Sequence, residues 1–101
     1  GLNEPGSAAD SATRRVELHA QSTEAAAAYV RGAALPTWGA TIGLRRLLES
    51  REIWLLARGA AKAHIVERLV RGPVDASVPA SLLREHPRCW LFIDDAAASR
   101  L

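Results

Sequence analysis

The segment Arg51–Gly72 has the sequence REIWLLARGAAKAHIVERLVRG. Its apolar run Ile53–Ala57 predicts a short strand that is covered on both faces, which is typical of a parallel sheet. Gly59 permits a sharp turn, and from Ala60 the apolar residues recur at helical spacing until Gly72 ends the helix. The segment therefore predicts a strand, a turn and an amphipathic helix. The residues expected on the inward face of that helix are Ala61, Ile65, Val66, Leu69 and Val70. Those expected on its outward face are Lys62, His64, Glu67, Arg68 and Arg71.

The turn between this strand and this helix is a candidate anion site. Free backbone N–H groups at a helix start and the helix dipole both favour negative charge, and phosphate is the commonest ligand there. Lys62 lies in the first helical turn and is the only lysine beside twelve arginines. Spacing alone nevertheless favours a solvated surface lysine over a phosphate ligand.

Composition excludes several classes of protein. The net charge of +2 comes from dispersed arginines and not from a basic cluster, so no nucleic-acid partner is expected. No apolar run approaches the roughly 20 residues of a membrane helix, so no membrane partner is expected either. The single cysteine, Cys89, excludes an internal disulfide and favours a reducing cytoplasm. The chain begins with Gly1 and contains no methionine, so we expect it to be a segment of a longer protein.

The first part of the chain alternates loops with short elements. Residues Gly1–Ala12 are expected to form a loop, and the alternating stretch Arg14–Leu18 is expected to form a strand with Val16 and Leu18 inward. The alanine-rich stretch Ser22–Arg31 predicts a loosely attached helix that is capped by its first or second residue. Residues Gly32–Gly39 are expected to form a loop. Its side chains Leu35 and Trp38 are expected to hold that loop against the protein.

The rest of the chain contains three further predicted elements. Thr41 is expected to cap a helix, Ser77–His86 to form a short helix, and Cys89–Ile93 to form a second buried strand. Asp94 or Asp95 then caps a last helix, and a general acid–base pair is the less favoured alternative. The helix after Thr41 is expected to turn three leucines inward and to carry one ion pair: Leu44, Leu47 and Leu48, and Arg45–Glu49.

Strands that alternate with helices predict an α/β layered fold with a parallel sheet. About three strands are too few for such a sheet, so we expect the missing strands to precede Gly1. No repeat or linker interrupts residues 1–101, which predicts one domain without an internal boundary. The histidines His19, His64 and His86 have no partner at metal-ligand spacing. No metal site is therefore expected, and we expect no cofactor either.

The opening residues Gly1–Gly6, GLNEPG, resemble the end of the Asn-Glu-Pro signature of the glucosamine-6-phosphate deaminase/isomerase family. The later landmarks of that family follow in order along nearly the whole chain. They are Ala40–Gly43 with Leu47 and Leu48, Arg51–Ile53, Gly59–Ala63, Gly72–Val74, Val78–Leu83, His86–Pro87 and Asp94.

The resemblance implies a three-layer α/β sandwich with a mostly parallel sheet, similar to that of ribose-5-phosphate isomerase, of which this chain is the incomplete C-terminal half. The implied reaction converts a 2-amino-2-deoxyhexose 6-phosphate into a ketose 6-phosphate and ammonia. Residues Leu2–Pro5 and Leu35–Gly39 are mildly closer to the branch that includes galactosamine-6-phosphate enzymes. The implied partners are the sugar phosphate and the N-terminal half of the domain, and a homo-oligomer is left open.

The resemblance also assigns roles to individual residues. Glu4 matches the acid that holds and polarises the catalytic histidine, and Lys62 matches the lysine that binds the 6-phosphate. The histidine, two aspartates and the phosphate loop are expected before Gly1, so the chain is expected to be inactive alone. Where glucosamine enzymes place a phosphate-binding arginine, the register puts Ala28 or Tyr29, and Arg31 is the nearest substitute.

The resemblance matches the family's allosteric site only in part, and it leaves alternative functions open. Ser7 and Arg14 match two of three residues that bind an allosteric sugar phosphate, but Val16 replaces the third, which is basic. Two alternative functions stay open. They are a hydrolase similar to 6-phosphogluconolactonase, against which Asn-Glu-Pro argues, and the sugar-phosphate-sensing module of a regulator.

Overall fold

The computed structural model describes residues 2–32 and 34–101. Gly1 and Ala33, both in predicted loops, lie outside the described residues. The strands are β1 (Arg14–Glu17), β2 (Trp38–Thr41), β3 (Ile53–Ala57) and β4 (Cys89–Ile93). The α-helices are α1 (Ala20–Ala26), α2 (Leu44–Leu48), α3 (Ala63–Arg71) and α4 (Asp95–Ala98). Two 3₁₀ helices span Ala60–Lys62 and Pro79–Glu85. No helix in these two ranges is both long enough and apolar enough to cross a membrane.

Strands β3 and β4 pair in parallel, with Ile53 opposite Cys89 and Ala57 opposite Ile93. Both have the bounds that their apolar runs predict. A parallel pair needs a long crossover, and here α3 and the second 3₁₀ helix supply it. The predicted α/β class with a parallel sheet is therefore confirmed.

The parallel sheet is covered on one face only, so the prediction of two covered faces is wrong for the described chain. Ile53 is buried with Leu44 and Leu83, and Leu55 and Ala57 face α3. Because side chains alternate along a strand, four large apolar side chains of β3 and β4 point away from this core. We call this set the bare face: Trp54, Leu56, Trp90 and Phe92, which are 65%, 71%, 55% and 49% exposed.

Helix α3 buries only part of the predicted inward face, because Val66 and Leu69 are buried as predicted and the other three residues are not. Ala63, Val66 and Leu69 are buried, whereas Ala61, Ile65 and Val70 are exposed. The turn that precedes α3 is a 3₁₀ helix, which advances by about 120° per residue instead of 100°. This change of period applies to Ala61, which lies in the 3₁₀ helix, whereas Ile65 and Val70 are exposed within α3 itself.

Strands β1 and β2 form an antiparallel pair in which Arg14 lies opposite Thr41. The prediction of β1 with Val16 inward is confirmed, but the strand ends at Glu17, and Leu18 is only partly buried. Strand β2 was not predicted: its first residues belonged to the expected loop, and Thr41 is a buried strand residue while Gly43 caps α2. Trp38 is half exposed, with the guanidinium of Arg15 4.5 Å above its ring, and Leu35 is exposed too. The expected anchoring of the loop by these two side chains is wrong.

The remaining helices agree with the predictions only in part. Helix α1 begins after His19 and ends at Ala26, so Arg31 lies beyond it, and none of its residues is buried. This shallow contact fits the expected loose attachment. In α2 the three leucines lie inward as predicted, but the ion pair joins Arg46, not Arg45, to Glu49. Residues 79–85 form a 3₁₀ helix, which the proline at its first position begins.

Candidate functional site

Glu4 lies in a tight turn before β1. The Glu4 carbonyl accepts hydrogen bonds from the Ser7 N–H at 3.0 Å and from the Ser7 hydroxyl at 2.7 Å. The carboxylate oxygen Oε1 is buried and has no hydrogen-bond partner within residues 2–32 and 34–101. A buried, unpaired carboxylate oxygen is unfavourable, so this environment suits an acid that accepts a hydrogen bond from a further group.

Three hydrogen bonds attach the Glu4 turn to the rest of the fold. The Leu2 N–H donates to the Thr41 hydroxyl at 3.0 Å, and the side-chain amide of Asn3 donates to the Ile42 carbonyl at 3.0 Å. The Gly6 N–H donates to the Ala76 carbonyl at 2.7 Å. The end of β2 and the loop after α3 therefore hold the turn from two sides.

Ser7 and Arg14, which match two residues of the family's allosteric site, contact each other. Arg14 donates from Nη2 to the Ser7 hydroxyl at 2.8 Å and from Nη1 to the Asn3 side-chain oxygen at 3.3 Å. Ser7 is buried. Val16, which replaces the basic third residue of the allosteric site, is an uncharged core residue. The structure thus brings Ser7 and Arg14 together beside Glu4, and their allosteric role stays a prediction.

Lys62 is the last residue of the first 3₁₀ helix and is exposed. Gly59, with φ of +87°, makes the turn that leads into it. The Gly59 N–H donates to the Asp94 carboxylate, so this backbone group is already occupied and does not face a free anion. Any anion near Lys62 must therefore depend on side chains more than the helix-start prediction assumed.

Asp94 is the cap that the sequence predicted. Its Oδ1 accepts from the Ala97 N–H at 2.8 Å, besides the bond from Gly59. Hydrogen bonds from these two backbone N–H groups lower the pKa of the Asp94 carboxyl. A carboxylate held in its ionised form by two donors is suited to capping and not to proton transfer at neutral pH.

A cleft of about 410 Å³ lies between α1 and the start of α3, and we call it the Lys62 cleft. It is lined by Gln21, Ser22, Ala25, Ala61, Lys62, His64, Ile65 and Arg68. Three of these side chains are basic and none is acidic. The Gln21 amide and the Ser22 hydroxyl supply hydrogen-bond donors from the α1 side. The composition of this lining suits an anion such as a phosphate group.

The nearest acid on α3 is engaged away from the cleft. Glu67 accepts from the Arg100 guanidinium at 2.6 Å, and this hydrogen bond is the main reason that the pKa of Glu67 is lowered. His64 Nδ1 lies 3.9 Å from the same carboxylate. Arg68 donates from Nη2 to the hydroxyl of Ser77 at 3.2 Å, and Ser77 is not among the residues that line the cleft.

Two residues that line the Lys62 cleft were not predicted as site residues, and two predicted site residues lie outside this cleft. His64 and Arg68 share the predicted outward face of the helix with Lys62, and that shared face was the only sequence signal for them. Glu4 and Arg31 are not among the residues that line the Lys62 cleft. The structure therefore groups Lys62 with His64 and Arg68, and Glu4 with Ser7 and Arg14.

Comparison with known proteins adds the family context. Residues 13–91 match the model of the family described as glucosamine-6-phosphate isomerases/6-phosphogluconolactonase. A glucosamine-6-phosphate deaminase of Rhodopirellula baltica is 45% identical over 102 aligned positions, and one of Leuconostoc citreum is 38% identical. Both alignments cover 100% of this chain, but 41% and 44% of the relatives.

A solved structure described as a monomeric glucosamine-6-phosphate deaminase superposes with a TM-score of 0.93 at 36% sequence identity. The superposition covers 99% of this chain and 42% of that protein. The chain thus spans about two fifths of the length of the relatives it matches. Its α/β fold is a part of theirs, as the sequence resemblance implied.

Proposed function

The chain belongs to the family of glucosamine-6-phosphate isomerases and 6-phosphogluconolactonases, and on that premise we propose that the full-length protein is an amino-sugar-phosphate deaminase/isomerase. It converts a 2-amino-2-deoxyhexose 6-phosphate and one water molecule into a ketose 6-phosphate and ammonia. Residues 1–101 form the C-terminal part of its single domain and are inactive alone.

The observation that carries this proposal is the buried Oε1 of Glu4, for which residues 2–32 and 34–101 supply no hydrogen-bond partner. In the proposed enzyme this oxygen accepts a hydrogen bond from a histidine N–H of the preceding part of the domain. A carboxylate in that position orients the imidazole and stabilises its protonated form. A module that only senses sugar phosphate needs an anion site but has no use for such an acid.

The Lys62 cleft is the proposed site for the 6-phosphate group. Lys62 supplies a point charge, Arg68 adds a second cation, and His64 adds a ring N–H donor. Arg31 stays the weaker candidate because it lies beyond α1 and outside the residues that line this cleft. No cofactor is needed for the proposed reaction, since acid–base groups can open the sugar ring and move the proton.

The bare face is the proposed contact surface for the rest of the domain. Four large apolar side chains that are about half exposed or more form a patch that a folded protein ordinarily covers. The relatives are more than twice as long as this chain, so a preceding segment of suitable size exists in them. The solved relative is described as monomeric, which supports this occupant over a second copy of the chain.

The choice of substrate and compartment is also part of the proposal. The similar proteins reported above are named for glucosamine 6-phosphate, which favours that substrate over the galactosamine branch that the sequence mildly indicated. Their names also favour deamination over lactone hydrolysis. The half-buried free thiol of Cys89 is consistent with the cytoplasm, where we place the protein.

An activity assay on the purified full-length protein tests the proposal. We expect it to release ammonia from glucosamine 6-phosphate and to form fructose 6-phosphate in equal amount. Galactosamine 6-phosphate and 6-phosphogluconolactone serve as the competing substrates. Hydrolysis of the lactone without ammonia release, or tight binding of the amino sugar phosphate without turnover, overturns the proposal in favour of the lactonase or the sensor.

A further inference from the structure

We propose that Arg14 is the positioning residue for Glu4, and that it acts from β1 as a clamp on both sides of the Glu4 turn. This inference rests on the proposed function in one respect only: the role of Glu4 in the reaction gives the clamp its purpose. The clamp itself follows from three hydrogen bonds.

The two terminal nitrogens of Arg14 contact residues on opposite sides of Glu4. Nη1 lies 3.3 Å from the Asn3 side-chain oxygen, one residue before Glu4. Nη2 lies 2.8 Å from the Ser7 hydroxyl, three residues after it. One rigid guanidinium therefore sets the distance between the two ends of the turn.

The clamp continues from Ser7 to Glu4. The Ser7 hydroxyl accepts from Arg14 and donates to the Glu4 carbonyl at 2.7 Å. The same carbonyl also accepts from the Ser7 N–H at 3.0 Å. Because the hydroxyl hydrogen has a single direction, the bond from Arg14 favours the rotamer that points it at Glu4. Arg14 thus acts on the backbone that carries the carboxylate without touching the carboxylate.

Neighbouring residues hold the three residues of the clamp, Arg14, Asn3 and Ser7, in place. Arg14 pairs with Thr41 in the antiparallel sheet, and the Thr41 hydroxyl accepts from the Leu2 N–H at 3.0 Å. The Asn3 amide nitrogen donates to the Ile42 carbonyl. Ser7 is only 8% exposed, so water competes poorly for its bond to Arg14. The β1–β2 pair therefore fixes the position of the turn that carries Glu4.

A lysine cannot replace this function, because one ammonium on a flexible stem cannot fill the positions of both guanidinium nitrogens. Arg15 provides a matched control on the same strand. Its side chain is on the opposite side of β1, where it pairs with the exposed Glu17 and covers Trp38. Arg14→Lys and Arg15→Lys therefore make the same chemical change with and without loss of the clamp.

The test compares these two variants and Ser7→Ala in the full-length protein. A catalytic group displaced by about 1 Å can lose about a hundredfold in rate, so we expect Arg14→Lys to lower kcat at least tenfold. KM and Tm should stay close to those of Arg15→Lys, and Ser7→Ala should lower kcat in the same way. Equal kcat in the two lysine variants, or a loss of kcat that only follows a loss of Tm, overturns the clamp.

Amide hydrogen exchange separates this inference from the proposed function. The Ser7 N–H closes the Glu4 turn, so its exchange should be at least about tenfold faster in Arg14→Lys than in Arg15→Lys. Unchanged exchange overturns the clamp even in an active enzyme. Faster exchange in a protein that deaminates no amino sugar supports the clamp and overturns the proposed function instead.

Discussion

The Asp94 carboxylate, directly after β4, accepts hydrogen bonds from the backbone N–H of Gly59, which lies two residues after β3, at 2.9 and 3.1 Å to its two oxygens. This contact joins the carboxyl ends of the two parallel strands. It also sets the turn that carries Lys62, because the Lys62 N–H donates to the Gly59 carbonyl at 3.0 Å. The position of the proposed phosphate-binding lysine thus depends on a residue 32 positions later in the chain.

Asp94→Asn should lower the stability of the full-length protein at neutral pH, since an amide accepts these backbone hydrogen bonds less strongly than a carboxylate. We expect Tm to fall by about 2–4 °C. The pKa of Asp94 is lowered in the fold, so its contribution is complete above the ordinary pKa and is lost as pH falls through the lower, folded value.

The difference between wild type and Asp94→Asn should therefore shrink as the pH falls below about 4. Thermal unfolding between pH 3 and pH 7 measures it. Asp95→Asn, the adjacent acid in α4, is the control and should leave Tm nearly unchanged at both ends of the range. A difference for Asp94→Asn that is the same at every pH contradicts the assigned cap.

Lys62→Ala should raise the KM for the sugar phosphate at least about tenfold, because a charge-assisted hydrogen bond to phosphate contributes about 1.5–3 kcal/mol. Steady-state kinetics of the full-length protein measure the effect. Arg71→Ala is the control, since Arg71 is an exposed cation at the end of α3 and does not line the Lys62 cleft. Equal KM values for the two variants would remove Lys62 from the phosphate site.

Arg68→Ala should raise KM as well, by a smaller factor, because its guanidinium is partly engaged by the Ser77 hydroxyl. The same kinetic assay with inorganic phosphate as a competitive inhibitor checks both residues. The inhibition constant should weaken in parallel with KM. A KM effect without any change in phosphate inhibition would place Arg68 at another part of the substrate.

Glu4→Gln should lower kcat by about a hundredfold, the effect typical of losing an acid–base group, while KM changes little. Glutamine keeps the shape of the side chain but cannot stabilise an imidazolium. Glu17→Gln is the control, because Glu17 is an exposed acid at the end of β1. Steady-state kinetics give kcat and KM for both variants. An equal loss of kcat and of phosphate affinity in Glu4→Gln would indicate a structural role for Glu4.

Trp54→Ala should destabilise the full-length protein by about 3 kcal/mol if the bare face is covered there, the usual effect of truncating a buried aromatic side chain. Trp38→Ala, on the β1–β2 pair, is the control and should have a much smaller effect. Urea unfolding of both variants measures the difference. Equal, small effects would mean that Trp54 remains exposed in the full-length protein and that the rest of the domain packs elsewhere.

Several features were predictable because they depend on neighbours in sequence. The bounds of β3 and β4 follow from short apolar runs between polar residues, and the Asp94 cap follows from an acid at a strand-to-helix junction. Strand β2 was not predictable in this way. Residues Trp38–Thr41 form a strand because Arg14–Glu17 lies beside them, and no local pattern records that pairing.

The sequence by itself determined the α/β class, the two parallel strands, the family resemblance and the importance of Glu4 and Lys62 as candidates, since hydrophobic spacing and short motifs are local properties. The tertiary structure decided which residues join each of those two. It placed His64 and Arg68 beside Lys62 against α1, and Arg14 and Ser7 around the Glu4 turn. The physical reason is that side-chain neighbours across a cleft or a turn are set by how segments distant in sequence pack together.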